Sequence, residues 1–373
     1  MSIPQIESRP FLDLLSNIVD NRGKTCPTSA SGIALIATNC IKNDNLYPVY
    51  ENVRYVSDET YKNWFRGHPA PGDFIFVTKG TPGCVCLVPP KVDFCIAQDM
   101  VAIRADSKKV DPKYLFAVLR STDIQGEIEN LHVGTLIPHF KKGDFDKLLI
   151  PLPKRELQEY IGEQYFAFSA KIDLLHRQNK TLEGMAEALW RKMFVEEADP
   201  GWEKGKLGDL VELCYGKGLK EGKRIPGKYP VLGSNGVVGY HNEFLVEGPG
   251  IVIGRKGTLG VVNYVEENFF PIDTTFYIKS KTNLGKLFFE YFLLKEFAFE
   301  DMNSDSAVPG LNRDIAESIE LFIPIQKSIM DFNVFCEPLF TKKMKNDLQI
   351  RTLSRLRDTL LPKLISGEVR VKL

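Results

Sequence analysis

The chain has 373 residues, 48 basic and 48 acidic side chains, 43% hydrophobic residues and 26% charged residues. This composition belongs to a globular protein and excludes a disordered, collagen-like or membrane-embedded chain. A formal net charge of zero argues against a nonspecific polycation but leaves room for a local basic groove, and the length suits two domains.

The chain opens on MSIPQIESRP, with no basic segment followed by an apolar run. No secretory signal is expected, which assigns the protein to the cytoplasm. Residues 1–152 are rich in Gly, Pro and short β-branched or aromatic runs, such as GIALIA (32–37), DFIFV (73–77) and CVCLV (84–88). These read as short strands joined by turns, with one helix over residues 112–122. The cysteines, seven in the chain and none in a CxxC pair, read as ordinary reduced thiols.

Residues 153–197 read as one long helix. Leu157, Ile161, Tyr165, Phe168, Ile172, Leu175, Asn179, Leu182, Ala186, Leu189 and Met193 step by fours and threes, and all but Asn179 are apolar. That is a sustained a/d stripe, roughly 55 Å long at the helical rise. Pro153 precedes it and Asp199-Pro200-Gly201 follows it, suitable start and stop signals.

Residues 198–325 form a second strand-rich block, with GVVGY (236–240), IVIG (251–254) and a helix over residues 284–299. The run 287–299 is the most apolar long stretch, but it carries Glu290, Lys295 and Glu296 and is too short and too charged to span a bilayer. A second long helix is expected from residue 326 to 365, with the tail ending at 373. Its stripe is Phe332, Phe335, Leu339, Leu353, Leu356, Leu360 and Leu364, with a polar middle of Lys342, Asn346 and Gln349. Pro338 should kink it.

The two halves repeat. Lys79-Gly80-Thr81-Pro82-Gly83 recurs as Lys256-Gly257-Thr258-Leu259-Gly260, an offset of 177. Ala97-Gln98-Asp99 matches Pro271-Ile272-Asp273, Ile137-Pro138 matches Val308-Pro309, Leu149-Ile150-Pro151 matches Phe322-Ile323-Pro324, and Thr181-Leu182 matches Thr352-Leu353. Five matches in one order at nearly one offset indicate an internal repeat. The expected fold is α+β: two homologous globular domains (1–152 and 198–325), each with a mostly antiparallel, barrel-like sheet, separated by two long helices (153–197 and 326–373). The helices either dimerise the protein or pair within one chain. A pseudo-twofold repeat favours an antiparallel intramolecular coiled coil, with Asn179 and the polar middle of the second helix fixing the register.

No catalytic signature stands out. The chain has no P-loop, GxSxG or HExxH motif and no Asn-Pro-Pro-aromatic tetrapeptide. His139 and His241 read as polar surface residues. Gly-rich loops carrying Lys, Thr, Asn and Arg do recur. Between 204 and 228 seven basic residues face three acidic ones, and Ser234-Asn235 and Arg255-Lys256-Gly257-Thr258 follow. The first half offers Lys24 with Thr25, and Lys79 with Thr81. Such loops suit phosphate contact and base-edge reading, or they are tight turns between strands. Lys79, Thr81, Arg255, Lys256 and Thr258 are the first candidates for a DNA face. Lys24, Lys217, Lys220, Ser234 and Asn235 are the second.

Taken together, IVDNRGKTCP (18–27), PGDFIFVTKGTPGCV (71–85), IPHFKKGDFDKLLIPLPKRELQEYIG (137–162), YPVLGSNGVVGYHNEFLVEGPGIVIGRKGTLGVVNYV (229–265) and LRDTLLPKLISGEVRV (356–371) resemble the specificity subunit of type I restriction-modification systems over essentially the whole chain. The resemblance implies two target-recognition domains that each read half of a bipartite double-stranded DNA site. It implies helices that set the unread gap and dock two methyltransferase subunits, through which restriction (motor-nuclease) subunits join. S-adenosylmethionine would bind the methyltransferase, and ATP and Mg²⁺ the nuclease subunit; this chain would bind no cofactor, metal or membrane and would not itself be an enzyme. The competing readings are a protein scaffold that never touches DNA and a self-contained DNA-modifying enzyme.

Overall fold

The computed structural model describes residues 7–21, 25–131, 138–282, 284–302 and 310–369. In chain order the first half holds strands β1 (Glu7–Pro10), β2 (Leu15–Val19), β3 (Ile33–Ile36) and β4 (Arg54–Val56), helix α1 (Asp58–Asn63), and strands β5 (Phe74–Val77), β6 (Val85–Leu87), β7 (Phe94–Ile96) and β8 (Met100–Ala105). Helices α2 (Pro112–Leu119) and α3 (Thr122–Leu131), strand β9 (Leu149–Leu152) and the long helix α4 (Arg155–Arg191) follow. The second half holds β10 (Glu203–Lys206), α5 (Leu207–Leu210), β11 (Val211–Tyr215), β12 (Tyr229–Gly233), β13 (Gly236–His241), β14 (Gly250–Gly254), β15 (Val262–Val265), β16 (Phe270–Pro271) and β17 (Thr275–Ser280). It ends with α6 (Phe288–Glu296), α7 (Arg313–Glu317), β18 (Glu320–Ile323) and the long helix α8 (Gln326–Ile365).

The chain divides into two compact units, unit 1 (residues 1–177 and 347–373) and unit 2 (178–346). Each long helix contributes one segment to each unit. The strand order repeats between them. Unit 1 contains a four-stranded sheet β2-β8-β5-β6, a three-stranded sheet β4-β3-β7 and the pair β1-β9. Unit 2 contains β11-β17-β14-β15, β13-β12-β16 and β10-β18. Even the parallel pair is duplicated, β3 with β7 and β12 with β16, among otherwise antiparallel neighbours. The expected barrel-like closure is not found among the described residues. Each block is split into separate open sheets, because a strand whose two faces are both apolar serves a layered core.

Strand β5, FIFV, shows why. All four residues are buried. Phe74 and Phe76 belong to a core shared with α2, whereas Ile75 and Val77 belong to another shared with β3 and β7. Alternate side chains of a strand point to opposite faces, so the four-stranded sheet lies between a helical layer and the three-stranded sheet. Burying one such side chain is worth about 1.5–3 kcal/mol. In unit 2, Ile251 and Ile253 of β14 face the core of α6, and Val252 faces Leu232 and Phe269.

The long helices pack onto these layers. In unit 1, Ile161 and Tyr165 of α4 share a core with Leu361, Leu364 and Ile365 of α8. Gly162 lets α4 approach the start of α2; a Cβ there would lie 2.6 Å from Tyr114 N and 2.8 Å from Asp111 Oδ1. Asp111 caps α2 by accepting from Tyr114 N at 2.9 Å, and Gln158 Oε1 accepts from Asp111 N at 3.0 Å. In unit 2 the partner positions run in opposite senses: Asn179 meets Asn346, Glu183 meets Lys343 at 3.5 Å, and Phe194 meets Phe332 at 5.5 Å between ring centroids. The paired segments are therefore antiparallel there, as the repeat implied.

Every position of the expected α4 stripe is buried or half-buried. The α8 stripe needs correction. Phe335 and Leu356 are 42% and 44% exposed, and the buried seam runs instead through Cys336 and Arg357. At 3.6 residues per turn a run of heptad-like steps drifts, and the seam follows Phe332, Cys336, Phe340, Asn346, Arg357, Leu361 and Leu364. Arg357 is accommodated because its guanidinium lies 5.5 Å from the Tyr165 ring and pairs with Asp358. Helix α8 runs through Pro338 without a break. His241 is also corrected: it is buried and holds the Ile225 backbone, with its Nδ1 3.0 Å from Ile225 N. All seven cysteines are free, and burial pushes the Cys86 thiol up to about 11. Among the described residues no helix is long and apolar enough to cross a membrane, and no group of three or more His, Cys, Asp or Glu side chains is placed to hold a metal.

Candidate nucleic-acid interface

The repeated Lys-Gly-Thr-x-Gly segment is the turn from β5 to β6 in unit 1 and from β14 to β15 in unit 2. In unit 1, Thr78 N and Lys79 N both donate to Asp99 O (2.9 and 3.2 Å), Gly83 N donates to Val77 O (3.0 Å), and Phe140 N donates to Thr78 O (2.9 Å). In unit 2, Arg255 N and Lys256 N both donate to Thr274 O (2.9 and 3.1 Å), Gly260 N donates to Gly254 O (3.0 Å), and Leu311 N donates to Arg255 O (3.0 Å). The same lattice is built twice.

The glycines of the motif answer to this backbone. Gly80 and Gly83 have φ of 91° and 93°, and Gly257 and Gly260 have 81° and 74°, a region that L side chains rarely adopt. The motif thus encodes a turn, and the turn projects its other residues outward: Lys79, Thr81, Lys256 and Thr258 are exposed. The two readings of these loops, turn and contact surface, are therefore compatible. Lys79 Nζ lies 4.0 Å from Asp99 Oδ1.

In unit 2 the segment 271–275 gathers several candidates. Gly216 N donates to Thr275 O and Lys217 N to Pro271 O. Ser234 Oγ donates to Thr274 O at 2.8 Å and also to Lys256 O. Arg255 Nη2 donates to Asp273 O at 3.1 Å. Lys217, Ser234, Arg255 and Lys256 thus converge on one segment. Ser234 and Asn235 form the two-residue turn between β12 and β13, with Asn235 exposed. Thr258 lies on the β14–β15 turn beside them. Lys220 is exposed on a separate turn, where Lys223 N donates to its carbonyl at 2.9 Å, and nothing ties it to this segment. Lys24 lies outside the described residues. Lys217, Lys220 and Lys256 are exposed and form no ion pair among the described residues.

Two residues at this edge were not singled out by their sequence. Tyr215, at the end of β11, is 53% exposed, and the guanidiniums of Arg255 and Arg313 lie over its ring at 5.1 and 5.7 Å. Arg313 stands alone in the sequence; only its offset of 171 from Lys142, equal to that of other repeat matches, could have marked it.

The family model described as "Type I restriction modification DNA specificity domain" matches residues 29–184 and again 200–332. The type I restriction enzyme MjaIX specificity subunit of Methanocaldococcus jannaschii is 25% identical over 325 residues, 74% of this chain and 75% of that protein. The HindI specificity subunit of Haemophilus influenzae is 22% identical over 382 residues, 74% of this chain and 82% of that protein. The crystal structure of a type I restriction-modification S subunit from M. genitalium aligns with a TM-score of 0.58 at 21% identity, covering 97% of this chain and 96% of that one, a likeness of fold. One match of the model to each half agrees with the duplicated sheets and turns, and the chain belongs to the type I restriction-modification DNA specificity domain family.

Proposed function

We propose that the chain is the specificity subunit of a type I restriction-modification complex. Residues 1–152 and 198–325 are its two target-recognition domains, and each reads one half of a bipartite double-stranded DNA site. Residues 153–197 and 326–373 set the unread gap between the half-sites and dock two methyltransferase subunits, through which restriction subunits join. Adenine methylation and cleavage then belong to those partners, and this chain supplies the address.

The observation that carries this reading is the duplicated turn with its exposed cations. Lys79 with Thr81 and Lys256 with Thr258 project from equivalent turns of two equivalent units, and Lys217, Ser234 and Arg255 lie on the same segment as Lys256. Cations and short polar side chains on close-approaching backbone suit phosphates and base edges. A protein partner is supported by α8, where Met330, Val334, Phe335, Met344, Leu348 and Leu356 are all exposed. Apolar exposure on this scale suits a protein interface.

The test is DNA binding by the assembled complex over a range of salt. Lys256→Ala is expected to weaken binding without changing the melting behaviour of the protein. If Lys256 meets a phosphate, the slope of log K against log salt falls by roughly one unit. Unchanged affinity at low and moderate salt overturns the assignment of this face.

A further inference from the structure

The two units share a backbone lattice but differ at its edge, and the difference is chemical. The shared hydrogen bonds match positions without ambiguity. Tyr215 pairs with Phe276 of β17, which lies opposite Ile253 of β14. The matching residue of β8, opposite Phe76 of β5, is Val101. Val19 pairs with the next residue, Ala102, so the position of Tyr215 is taken in unit 1 by Asp20. Arg255 donates to Thr274 O where Thr78 donates to Asp99 O. Arg313 lies two residues past Leu311, which donates to Arg255 O, and Lys142 lies two past Phe140, which donates to Thr78 O. Unit 2 therefore carries Tyr215, Arg255 and Arg313 where unit 1 carries Asp20, Thr78 and Lys142.

In unit 1 these positions are quiet. Thr78 is fully buried and its hydroxyl donates to Asp99 O at 3.0 Å. Lys142 Nζ lies 4.0 Å from Asp20 Oδ2. In unit 2 they make a stack in which Tyr215 is exposed and Arg255 and Arg313 are half-buried. Arg255 is held by three contacts: Tyr215 at 5.1 Å, Phe276 at 5.5 Å, and Asp273 O at 3.1 Å. Its Nε is buried without a hydrogen-bond partner among the described residues. Arg313 Cζ lies 5.7 Å from the Tyr215 ring, and its Nε is 3.3 Å from Asp314 Oδ1.

Folding accounts for only part of this arrangement. The Tyr215 ring packs 5.0 Å from the buried Phe276, yet half of its surface is exposed. Arg313 is the first residue of α7, the end of a helix where a cation is disfavoured. Local choices that oppose the fold mark functional positions. A guanidinium held against an aromatic ring has lost part of its freedom before binding, and its fork can meet two acceptors in one plane. A phosphate does not need that; a lysine would serve. The paired acceptors on a base edge that fit the fork are guanine O6 and N7.

We propose that Tyr215, Arg255 and Arg313 form a guanine-reading element of unit 2 that unit 1 does not possess, so that the two half-sites are read by different chemistry. The inference rests on the DNA-reading function above and adds the base class and the residues.

The experiment uses the chain assembled with its methyltransferase subunits and a pool of duplexes randomised in sequence. Base preferences are read for the unmodified chain and for Arg313→Lys, Arg255→Lys and Arg313→Ala, with the melting curve of each as a check on folding. Arg→Lys keeps the charge and removes the fork. Both lysine variants are expected to keep their salt slope while discrimination at a G·C pair in one half-site alone falls roughly 10- to 100-fold. An unchanged base preference in the two lysine variants overturns the proposal. So does a uniform loss of affinity for all duplexes in Arg313→Ala, with the salt slope reduced by about one, which is the mark of a phosphate contact. If the unmodified complex selects no split motif at all, the DNA-reading function itself fails and the proposal falls with it.

Discussion

Asn346 Nδ2 donates to Asn179 Oδ1 at 2.8 Å, and both residues are almost wholly buried between α4 and α8. The same amide donates to Gln178 Oε1 at 2.9 Å. A polar pair in an apolar seam specifies one register, because any slip leaves buried amides without partners.

The pair gives a direct prediction. Asn346→Leu is expected to destabilise the protein by about 1–3 kcal/mol, because the Asn179 amide loses a buried partner. Adding Asn179→Leu is expected to restore most of that loss, since removing both partners is close to neutral. Urea midpoints at constant m-value measure both. Additive losses in the double variant would count against the register role.

Gly162 and Asn333 occupy matching positions of α4 and α8, at an offset of 171, and solve one problem in two ways. In unit 1 the helix brings its own cap, Asp111, and Gly162 leaves room for it. In unit 2, α6 has no side-chain cap of its own, and Asn333 Oδ1 reaches across to accept from Phe289 N at 3.0 Å. Gly162→Ala is expected to cost about 1–3 kcal/mol through overpacking. Asn333→Ala is expected to cost about 0.5–2 kcal/mol through loss of the cap. Thermal denaturation checks both.

Burial raises the carboxyl pKa of Glu290 above its ordinary value, against the opposing hydrogen bonds from Ser280 Oγ (2.6 Å) and Thr282 Oγ1 (2.9 Å). The folded state therefore holds this proton more tightly than the unfolded chain. Its contribution to stability is full below the unfolded pKa and is lost as pH rises through the folded one. Glu290→Gln keeps an acceptor for the hydroxyls and never ionises. The variant is expected to gain on the natural chain as pH rises above about 4.3, the ordinary glutamate value. A stability difference that is flat with pH would contradict this.

The corrected seam of α8 separates stability from assembly. Cys336 faces the core, and Cys336→Ser is expected to cost about 1–3 kcal/mol by burying an extra hydroxyl. Phe335 and Val334 face outward; Phe335→Ser is expected to change stability by less than about 0.5 kcal/mol. It should nevertheless weaken association with the methyltransferase subunits by about tenfold, as loss of an aromatic interface residue does. Sedimentation of the mixed subunits reads the second effect.

Much of the architecture was readable from the residues. The five repeat matches at nearly one offset announced two equivalent units, because duplicated turns keep the glycines that their backbone requires: Gly80 and Gly83, Gly257 and Gly260. The α4 stripe was readable because its apolar side chains recur at helical spacing. The α8 phase was not, because Phe335 and Leu356 are more hydrophobic than Cys336 and Arg357, and hydrophobicity alone cannot show that Arg357 stacks on Tyr165. His241 was misplaced for a similar reason: its burial depends on the Ile225 backbone, which approaches only in three dimensions. Of the candidate interface, the turns were visible, whereas the stack of Tyr215, Arg255 and Arg313 joins residues some 40 to 100 positions apart and carries no local signature.

The measurement that bears most directly on the central claim is the adenine-methylation map of the source genome with and without this gene. Two short half-sites around a fixed unread gap are expected to be methylated only when the gene is present, and Lys256→Ala is expected to weaken that methylation. Identical maps from cells in which the chain is assembled with its methyltransferase subunits would contradict the claim that it supplies their DNA specificity.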